Sequence, residues 1–205
     1  MERPDERRLI LASASPRRAE LLTAAGQRFV IEPSRVDETR RKDERPRDLA
    51  ARLAREKALD VAARARPRDR WVLGADTIVV IDDEPLGKPQ DEPDAERMLR
   101  RLSGRGHEVV TAFALVAPSM RVVVERTVVS EVVFRVIDPS EIHAYVGSGE
   151  PLDKAGAYAI QGGAQAFVNE LRGSRSNVVG LPMDEIEVAL RGVGLWLERE
   201  RRLSD

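Results

Sequence analysis

The sequence predicts an α/β fold, because segments with the pattern of strands alternate with segments that have the pattern of helices. Three observations support this prediction. A helix pattern follows the apolar run at 9–12, a long helix pattern precedes the apolar run at 71–81, and β-rich segments adjoin at 108–136. The adjoining segments add an antiparallel section. The 205 residues suit one domain, or two small lobes around a cleft.

Residues 9–25 predict a strand, a tight loop and a helix. The apolar residues 9–12 have the length of a buried strand, and small residues follow them. Ser15 is a favourable N-cap and Pro16 a favourable first helical residue, because the missing N–H would have no partner in the first turn. Gly26 is typical of a helix end.

Arg17 and Arg18 fall in the first turn of this helix, where the helix dipole ordinarily favours Asp or Glu. Two cations there cost roughly a few tenths of a kcal/mol or more unless an anion binds them. Free N–H groups, a hydroxyl-rich loop containing Ser13 and two guanidinium groups together suit a phosphate group. Two solvated surface arginines are the alternative, and this segment alone does not decide between them.

The next segments predict a strand at 28–32, a polar loop at 33–47 and a long helix at 48–65. Lys57 falls on the apolar stripe of that helix. A lysine there either extends along the helix edge into solvent, which is the commoner arrangement, or is held inward by anions.

The most apolar run of the chain covers residues 71–81. It is long enough for a strand interrupted at Gly74, or for two strands that share a bend. Asp76 lies in the middle of this run. A carboxylate is costly to bury there unless it binds a metal, a cation or several hydrogen-bond donors. The alternative is an aspartate that accepts hydrogen bonds from backbone N–H groups at a bend.

The remaining segments follow from the same patterns. They are a turn at 82–84, a helix at 94–102, β-rich segments at 108–116 and 121–136, a helix from 138 to about 147, a short strand at 166–168 and a helix from 182 to about 191. Loops are predicted at 150–163 and 173–180, and Lys88 lies in a proline-flanked loop. Asp138, Pro139 and Glu141 form the pattern of a capped helix start.

Composition argues against several classes of protein. Cysteine is absent, which excludes disulfides and thiolate metal sites, and the two histidines argue against a multi-histidine zinc site. We expect a structural role for His107 and a surface position for His143. A net charge of −1 attracts neither nucleic acid nor an anionic membrane. No apolar run approaches the ~20 residues that span a bilayer, and no signal peptide is apparent, so we expect a cytoplasmic protein.

One group of residues combines the chemical features that the hydrolysis of a nucleotide polyphosphate requires. It contains four cations, two or three carboxylates and a glutamine among loop glycines: Arg17, Arg18, Lys57, Lys88, Asp76, Glu38, Asp37 and Gln161. Cations neutralise the phosphates, carboxylates hold a hard metal ion, and one carboxylate activates water. Patterns of P-loop proteins, dinucleotide-binding proteins and serine hydrolases are absent.

Seven segments then occur in an order that matches a known family along nearly the whole chain. They are SASPRRAELL at 13–22, REKA at 55–58, GADTIV at 74–79, GKP at 87–89, LSGRGHEVVTA at 102–112, EPLDKAGAYAIQG at 150–162 and VVGLP at 178–182. Together they resemble the Maf family of nucleoside triphosphate pyrophosphatases.

The resemblance implies a Maf/HAM1-like (ITPase-like) α/β fold, with a mixed twisted sheet flanked by helices and two lobes around a central cleft. It implies one Maf-like domain over residues 1–205. Family members hydrolyse nucleoside triphosphates to the monophosphate and pyrophosphate with a divalent metal, so we expect Mg²⁺ or Mn²⁺. The segment DKAGAYAIQG is similar to the branch that acts on dTTP and UTP, with modified or non-standard nucleotides as further candidates.

The resemblance also implies the roles of the site residues. Asp76 would be the general base, and Glu38 would bind the metal together with it. Three residues would determine substrate specificity: Arg17, Thr77 and Gln161. Four residues would line the path of the phosphates: Ser13, Arg18, Lys57 and Lys88.

Two alternatives to dTTP/UTP hydrolysis stay open. The sister branch of the family acts on 7-methyl-GTP, and a non-catalytic nucleotide-binding protein could instead regulate septum formation, the process from which the family takes its name. The resemblance also implies a homodimer. Few aromatic residues and a near-neutral charge argue against a nucleic-acid surface.

Overall fold

The computed structural model describes residues 8–66 and 69–198, and the strands in these ranges form one mixed sheet flanked by helices. The strands are β1 (Leu9–Leu11), β2 (Phe29–Ile31), β3 (Trp71–Ile81), β4 (Glu84–Leu86), β5 (Gly106–Val116), β6 (Val122–Phe134) and β7 (Val168–Arg172). The helices are α1 (Pro16–Ala24), α2 (Pro46–Arg64), α3 (Glu92–Leu102), α4 (Pro139–Gly147), α5 (Arg175–Val179) and α6 (Met183–Gly192). The predicted α/β fold class is confirmed.

The sheet has the strand order β2-β1-β3-β5-β6-β7, and β4 pairs with β3. β1 is parallel to β2 and β3, whereas the other pairs are antiparallel. Leu11 lies opposite Leu73, and the Ala12 N–H donates to the Leu73 carbonyl at 2.8 Å. This register places the loop after β1 beside Asp76, which follows Leu73 by three residues.

Alternate residues of β1 and β3 face opposite sides of the sheet, as the two-residue period of a strand requires. Ile10 and Val72 pack beneath α2, whereas Leu11 and Leu73 pack beneath α1 and α6. The far part of the sheet is covered by α3 and α4 through residues that pack around Phe134. Within the described ranges, no helix is both long enough and apolar enough to cross a membrane.

Gly74 does not interrupt β3. The strand pairs continuously with β5 from Val72 to Val80, so the predicted interruption or bend at this glycine is wrong. A Cβ at position 74 would lie 2.3 Å from the Ala54 carbonyl oxygen and 2.6 Å from the Ala58 nitrogen. Glycine is needed here because the backbone of α2 lies directly against the strand.

Three predicted boundaries are also wrong. α2 begins at Pro46, two residues earlier than predicted, because a proline at the first helical position needs no N–H partner. The strand predicted at 166–168 begins only at Val168, since Gly163–Phe167 is a short 3₁₀ segment. The loop predicted at 173–180 contains α5, whose start is capped by Ser174.

Candidate active site

An open cleft of about 410 Å³ lies where the loop after β1 meets β3, α2 and the segment that follows α4. Residues from widely separated parts of the chain line it. All nine predicted site residues are among them: Ser13, Arg17, Arg18, Glu38, Lys57, Asp76, Thr77, Lys88 and Gln161. Asp37, the further carboxylate considered, accepts hydrogen bonds from Thr39 and does not line the cleft.

Asp76 and Lys57 form a buried ion pair in the floor of this cleft. The alternation of β3 directs Asp76 towards α2, where the Lys57 Nζ donates to Asp76 Oδ1 at 2.6 Å. The same Nζ lies 2.8 Å from Glu38 Oε1. Lys57 is only 7% exposed, so it is held inward by anions rather than extended into solvent. Two carboxylates compensate its charge in this position.

Burial raises the pKa of the Asp76 carboxyl, and the charges of Lys57 and Arg18 oppose that rise. Removal from water disfavours the charged form of a carboxyl, whereas nearby cations favour it. A carboxylate with increased proton affinity in a buried site can accept a proton from water. The geometry is therefore compatible with the general-base role expected of Asp76.

Arg18 is buried and donates four hydrogen bonds to protein groups. Its Nε donates to the Gly180 carbonyl at 2.9 Å, and Nη1 donates to Ser13 Oγ at 3.0 Å and to the Ala75 carbonyl at 2.9 Å. Nη2 donates to Thr77 Oγ1 at 3.0 Å. A guanidinium has five N–H groups, so one is left for a ligand. Arg18 thus joins the loop after β1, strand β3 and the turn after α5.

The Thr77 hydroxyl belongs to a chain of hydrogen bonds that begins at Arg18. Thr111 Oγ1 donates to the Asn177 carbonyl at 2.9 Å, which uses its single proton. Thr77 Oγ1 lies 3.0 Å from Thr111 Oγ1 and must therefore be the donor of that pair. Because this donation uses the single proton of Thr77, none is left for a substrate, and its oxygen accepts from Arg18.

Three other predicted residues lie at the rim of the cleft with unpaired side chains. Lys88 and Gln161 are exposed and Arg17 is partly buried. Within residues 8–66 and 69–198, their side chains make no hydrogen bond or ion pair. These groups are available to a ligand without the loss of an existing contact.

The polar loop after β2 holds Glu38 over the cleft and is attached to α2. Arg52 donates to both carboxylate oxygens of Glu44 at 2.6 and 2.9 Å and to the Thr39 carbonyl at 3.1 Å. Arg52 also holds the pKa of the Glu44 carboxyl at about 2. Arg64 donates to the carbonyl of Pro33 at the other end of the loop. Glu38 lies between these two attachments.

Glu38 and Asp76 are the two carboxylates at the cleft that were expected to bind a metal. Among the described residues, no group of three or more His, Cys, Asp or Glu side chains could hold an ion without help. Mg²⁺ is commonly bound by one or two carboxylates together with phosphate oxygens of the substrate. Lys57 already contacts Glu38 Oε1 and Asp76 Oδ1, so the other oxygen of each carboxylate is the one that fits a metal shared with a nucleotide.

Sequence reasoning assigned no role to three further residues that line the cleft: Asp153, Lys154 and Tyr158. Lys154 forms an ion pair with Asp153. The Tyr158 hydroxyl lies 2.8 Å from Nε2 of the buried His107, so His107 has the structural role that we expected. All three lie in the segment EPLDKAGAYAIQG, and the match of this segment to the family is the sequence signal that could have identified them.

Two further polar residues, His143 and Asn177, lie outside the cleft, one exposed and one buried. His143 is exposed and pairs with Glu96, as predicted for a surface residue. Asn177 is fully buried in α5, and its Nδ2 donates to the Val109 carbonyl and to Ser130 Oγ, both at 3.0 Å. It thereby fixes α5 to the sheet behind the cleft.

The chain is similar to known proteins over most of its length. The family model described as Maf-like protein matches residues 8–193. The dTTP/UTP pyrophosphatase of Geobacter sulfurreducens is 52% identical over 187 residues, which are 91% of this chain and 97% of that protein. The dTTP/UTP pyrophosphatase of Anaeromyxobacter dehalogenans strain 2CP-1 is 53% identical over 196 residues, 95% of this chain and 98% of that protein.

A third relative and one solved structure were also found. The dTTP/UTP pyrophosphatase of Hahella chejuensis is 50% identical over 196 residues, 94% of this chain and 96% of that protein. The solved structure of the Staphylococcus aureus Ham1 protein is 17% identical, covers 90% of this chain and 98% of that chain, and has a TM-score of 0.46. So distant a structural likeness bears on neither fold nor function.

Proposed function

The chain belongs to the Maf family, as its motifs predicted, and is a nucleoside triphosphate pyrophosphatase; we propose that its substrates are dTTP and UTP. One observation of the structure supports the activity best. A buried carboxylate, Asp76, faces the same cleft as four cationic side chains: Arg17, Arg18, Lys57 and Lys88. The names of the relatives support the choice of substrates.

In the proposed reaction, Asp76 accepts a proton from a water molecule that attacks the α-phosphorus. A new bond forms from the water oxygen to phosphorus, and the bond from phosphorus to the oxygen bridging to the β-phosphate breaks. Pyrophosphate leaves with the electron pair of that bond, and the monophosphate remains. Lys57 orients Asp76 and keeps it ionised, while the cations of the cleft stabilise the charge on the leaving group.

Glu38 and Asp76 would hold Mg²⁺ or Mn²⁺ together with phosphate oxygens, and the ion, when bound, would neutralise phosphate charge. Lys88 and Arg17 would contact the phosphates from the rim. Arg18, with one N–H left for a ligand, would act mainly by holding Ser13 and Thr77 in place.

Gln161 would identify the base. Its amide offers a donor and an acceptor side by side, which match the edge of a uracil or thymine ring. Its exposed position at the rim leaves both groups free for this contact. Thr77 would affect specificity indirectly, because its proton is already donated to Thr111.

The experiment is to incubate the protein with dTTP, UTP, CTP and 7-methyl-GTP, each with Mg²⁺, Mn²⁺ or EDTA, and to identify the products. We expect monophosphate and pyrophosphate from dTTP and UTP in the presence of the metal, and neither product when EDTA replaces it. Faster turnover of 7-methyl-GTP than of dTTP and UTP would contradict the proposed substrates. Formation of diphosphate and phosphate would contradict the proposed reaction. Nucleotide binding without turnover would indicate a non-catalytic regulator.

A further inference from the structure

Two side chains outside the cleft, Tyr145 and Glu150, hold the turn that carries Gln161 at its two ends, and Arg175 donates to the Ile160 carbonyl between them at 3.2 Å. The Ala159 N–H, two residues before Gln161, donates to the Tyr145 hydroxyl oxygen at 3.1 Å. The Gly163 N–H, two residues after it, donates to Glu150 Oε2 at 3.2 Å. The Tyr145 hydroxyl in turn donates to Glu150 Oε1 at 2.8 Å. The two side chains and the turn therefore form a closed ring of hydrogen bonds around Gln161.

The ring is anchored on the folded core. Tyr145 lies in α4, is only 7% exposed, and its ring packs edge-on against Phe167 with centroids 5.3 Å apart. Glu150 begins the short 3₁₀ segment that follows α4 and is partly buried. Neither residue lines the cleft. The hydrogen bonds of the ring therefore reach the cleft through the turn.

Gly162 allows the Glu150 carboxylate to reach the turn. A Cβ at position 162 would lie 2.1 Å from Glu150 Oε1 and 2.5 Å from its carboxyl carbon. A larger residue would push the carboxylate away from its two donors. The ring thus depends on three positions, each of which can be changed separately.

The Gln161 side chain makes no hydrogen bond or ion pair within the described part of the chain. No contact of the side chain fixes its direction, so the backbone of the turn determines where the Cα–Cβ bond points and which positions the amide can reach. An amide that reads a base must be held to within a fraction of an ångström for its donor and acceptor to match the ring edge.

We propose that Tyr145 and Glu150 are positioning residues that set base specificity by fixing the turn that presents Gln161. This inference rests on the proposed function, in which Gln161 contacts the base. It assigns the pair no part in the chemistry at Asp76.

The test compares kcat and KM for dTTP and CTP, whose bases differ in the groups that an amide reads. In Tyr145→Phe and in Gly162→Ala, we expect the preference for dTTP over CTP to fall about five- to tenfold, the size expected for one lost hydrogen bond. The change should appear in KM for dTTP, with kcat within twofold. Glu170→Gln, at an exposed carboxylate on β7, is the matched control and should change neither.

A double-mutant cycle separates positioning from a general structural effect. In a Gln161→Ala background, Tyr145→Phe should cause no further loss of base preference. Equal losses for dTTP and CTP, or a further loss in that background, would overturn the proposal. Thermal unfolding of each variant identifies any that fails to fold, in which case Gly162→Ala replaces Tyr145→Phe in the cycle. Absence of turnover in the wild type, or no preference for dTTP, would instead count against the proposed function.

Discussion

The floor of the cleft and its rim hold their charged and polar groups in different ways. The floor consists of buried residues bonded to one another or to the backbone: Arg18, Lys57 and Asp76. The rim consists of residues whose side chains make no hydrogen bond or ion pair within the described part of the chain: Arg17, Lys88 and Gln161. Floor groups keep their geometry before a ligand arrives, whereas rim groups remain largely hydrated.

This difference assigns different tasks to the two regions. Groups fixed in a water-excluded site stabilise a transition state without reorganisation, which suits the floor to the chemical step. Groups without a hydrogen bond or ion pair to the protein contribute mainly to binding and recognition, which suits the rim. Changes to the floor should therefore affect both stability and kcat, and changes to the rim should affect KM.

The largest effect is expected for Asp76→Asn. The side chain keeps its shape but loses the proton acceptor, so kcat should fall by about 10²–10⁴-fold. Steady-state kinetics with dTTP measures this. Asp83→Asn makes the same chemical change in the exposed turn between β3 and β4 and should leave kcat unchanged. A normal kcat in Asp76→Asn would falsify the general-base assignment.

The next effect concerns Lys57→Met, which removes the nearest cation of a buried carboxylate. We expect the free energy of unfolding to fall by about 3–5 kcal/mol, measured by urea denaturation. Adding Asp76→Asn should recover part of the loss, because no uncompensated charge is then buried. Lys88→Met, at the exposed rim, should change stability by less than about 0.5 kcal/mol. Equal losses in both lysine variants would contradict the contrast between floor and rim.

The third effect concerns His107, which is buried behind Tyr158, a residue that lines the cleft. Burial lowers the pKa of His107 from 6.5 to about 4. The unfolded chain therefore binds a proton at a higher pH than the folded chain. The contribution of neutral His107 to the free energy of unfolding should be fully present above about pH 6.5. It should decrease by about 3 kcal/mol in total as the pH falls to 4.

His107→Gln removes this contribution, so the difference in pH dependence between the variant and the wild type isolates it. Urea denaturation at a series of pH values from 4 to about 7.5 is the measurement. Parallel curves for the two proteins would show that His107 titrates normally and that its burial beside Tyr158 carries no cost.

The smallest effect is expected for Lys88→Ala. In the proposed function its exposed ammonium contacts phosphate only when a nucleotide is bound, so we expect KM for dTTP to rise a few-fold while kcat stays the same. The increase should shrink at high salt, because ions screen exposed charges. A large fall in kcat would place Lys88 in the chemical step and blur the division between floor and rim.

The sequence was sufficient for the features that depend on local pattern. The strand-loop-helix unit around Pro16 and the capped start of α4 follow from residues within one or two turns of each other. The inward orientation of Lys57 could not be predicted in this way, because its partners Glu38 and Asp76 lie 19 residues away on either side. The choice between solvent and anions depended on tertiary contacts.

Backbone partners were the other limit on prediction. Two of the four groups that accept from Arg18 are carbonyl oxygens, which every residue carries, so no sequence pattern marks them. Gly74 was interpreted as a bend because its actual neighbour, the backbone of α2, is remote in sequence. α5 has only five residues and depends on the burial of Asn177 rather than on its own periodicity.

Gly74 also determines how the enzyme could be redesigned. Since the backbones of α2 and β3 touch at this residue, the spacing between Lys57 and Asp76 is a property of the main chain rather than of side-chain packing. An added methyl group at position 74 would push α2 away from β3 and so widen this spacing without altering any charge. Because the proposed base contact lies at the rim, we expect changes of base preference to succeed there, whereas we expect Gly74→Ala to displace the floor.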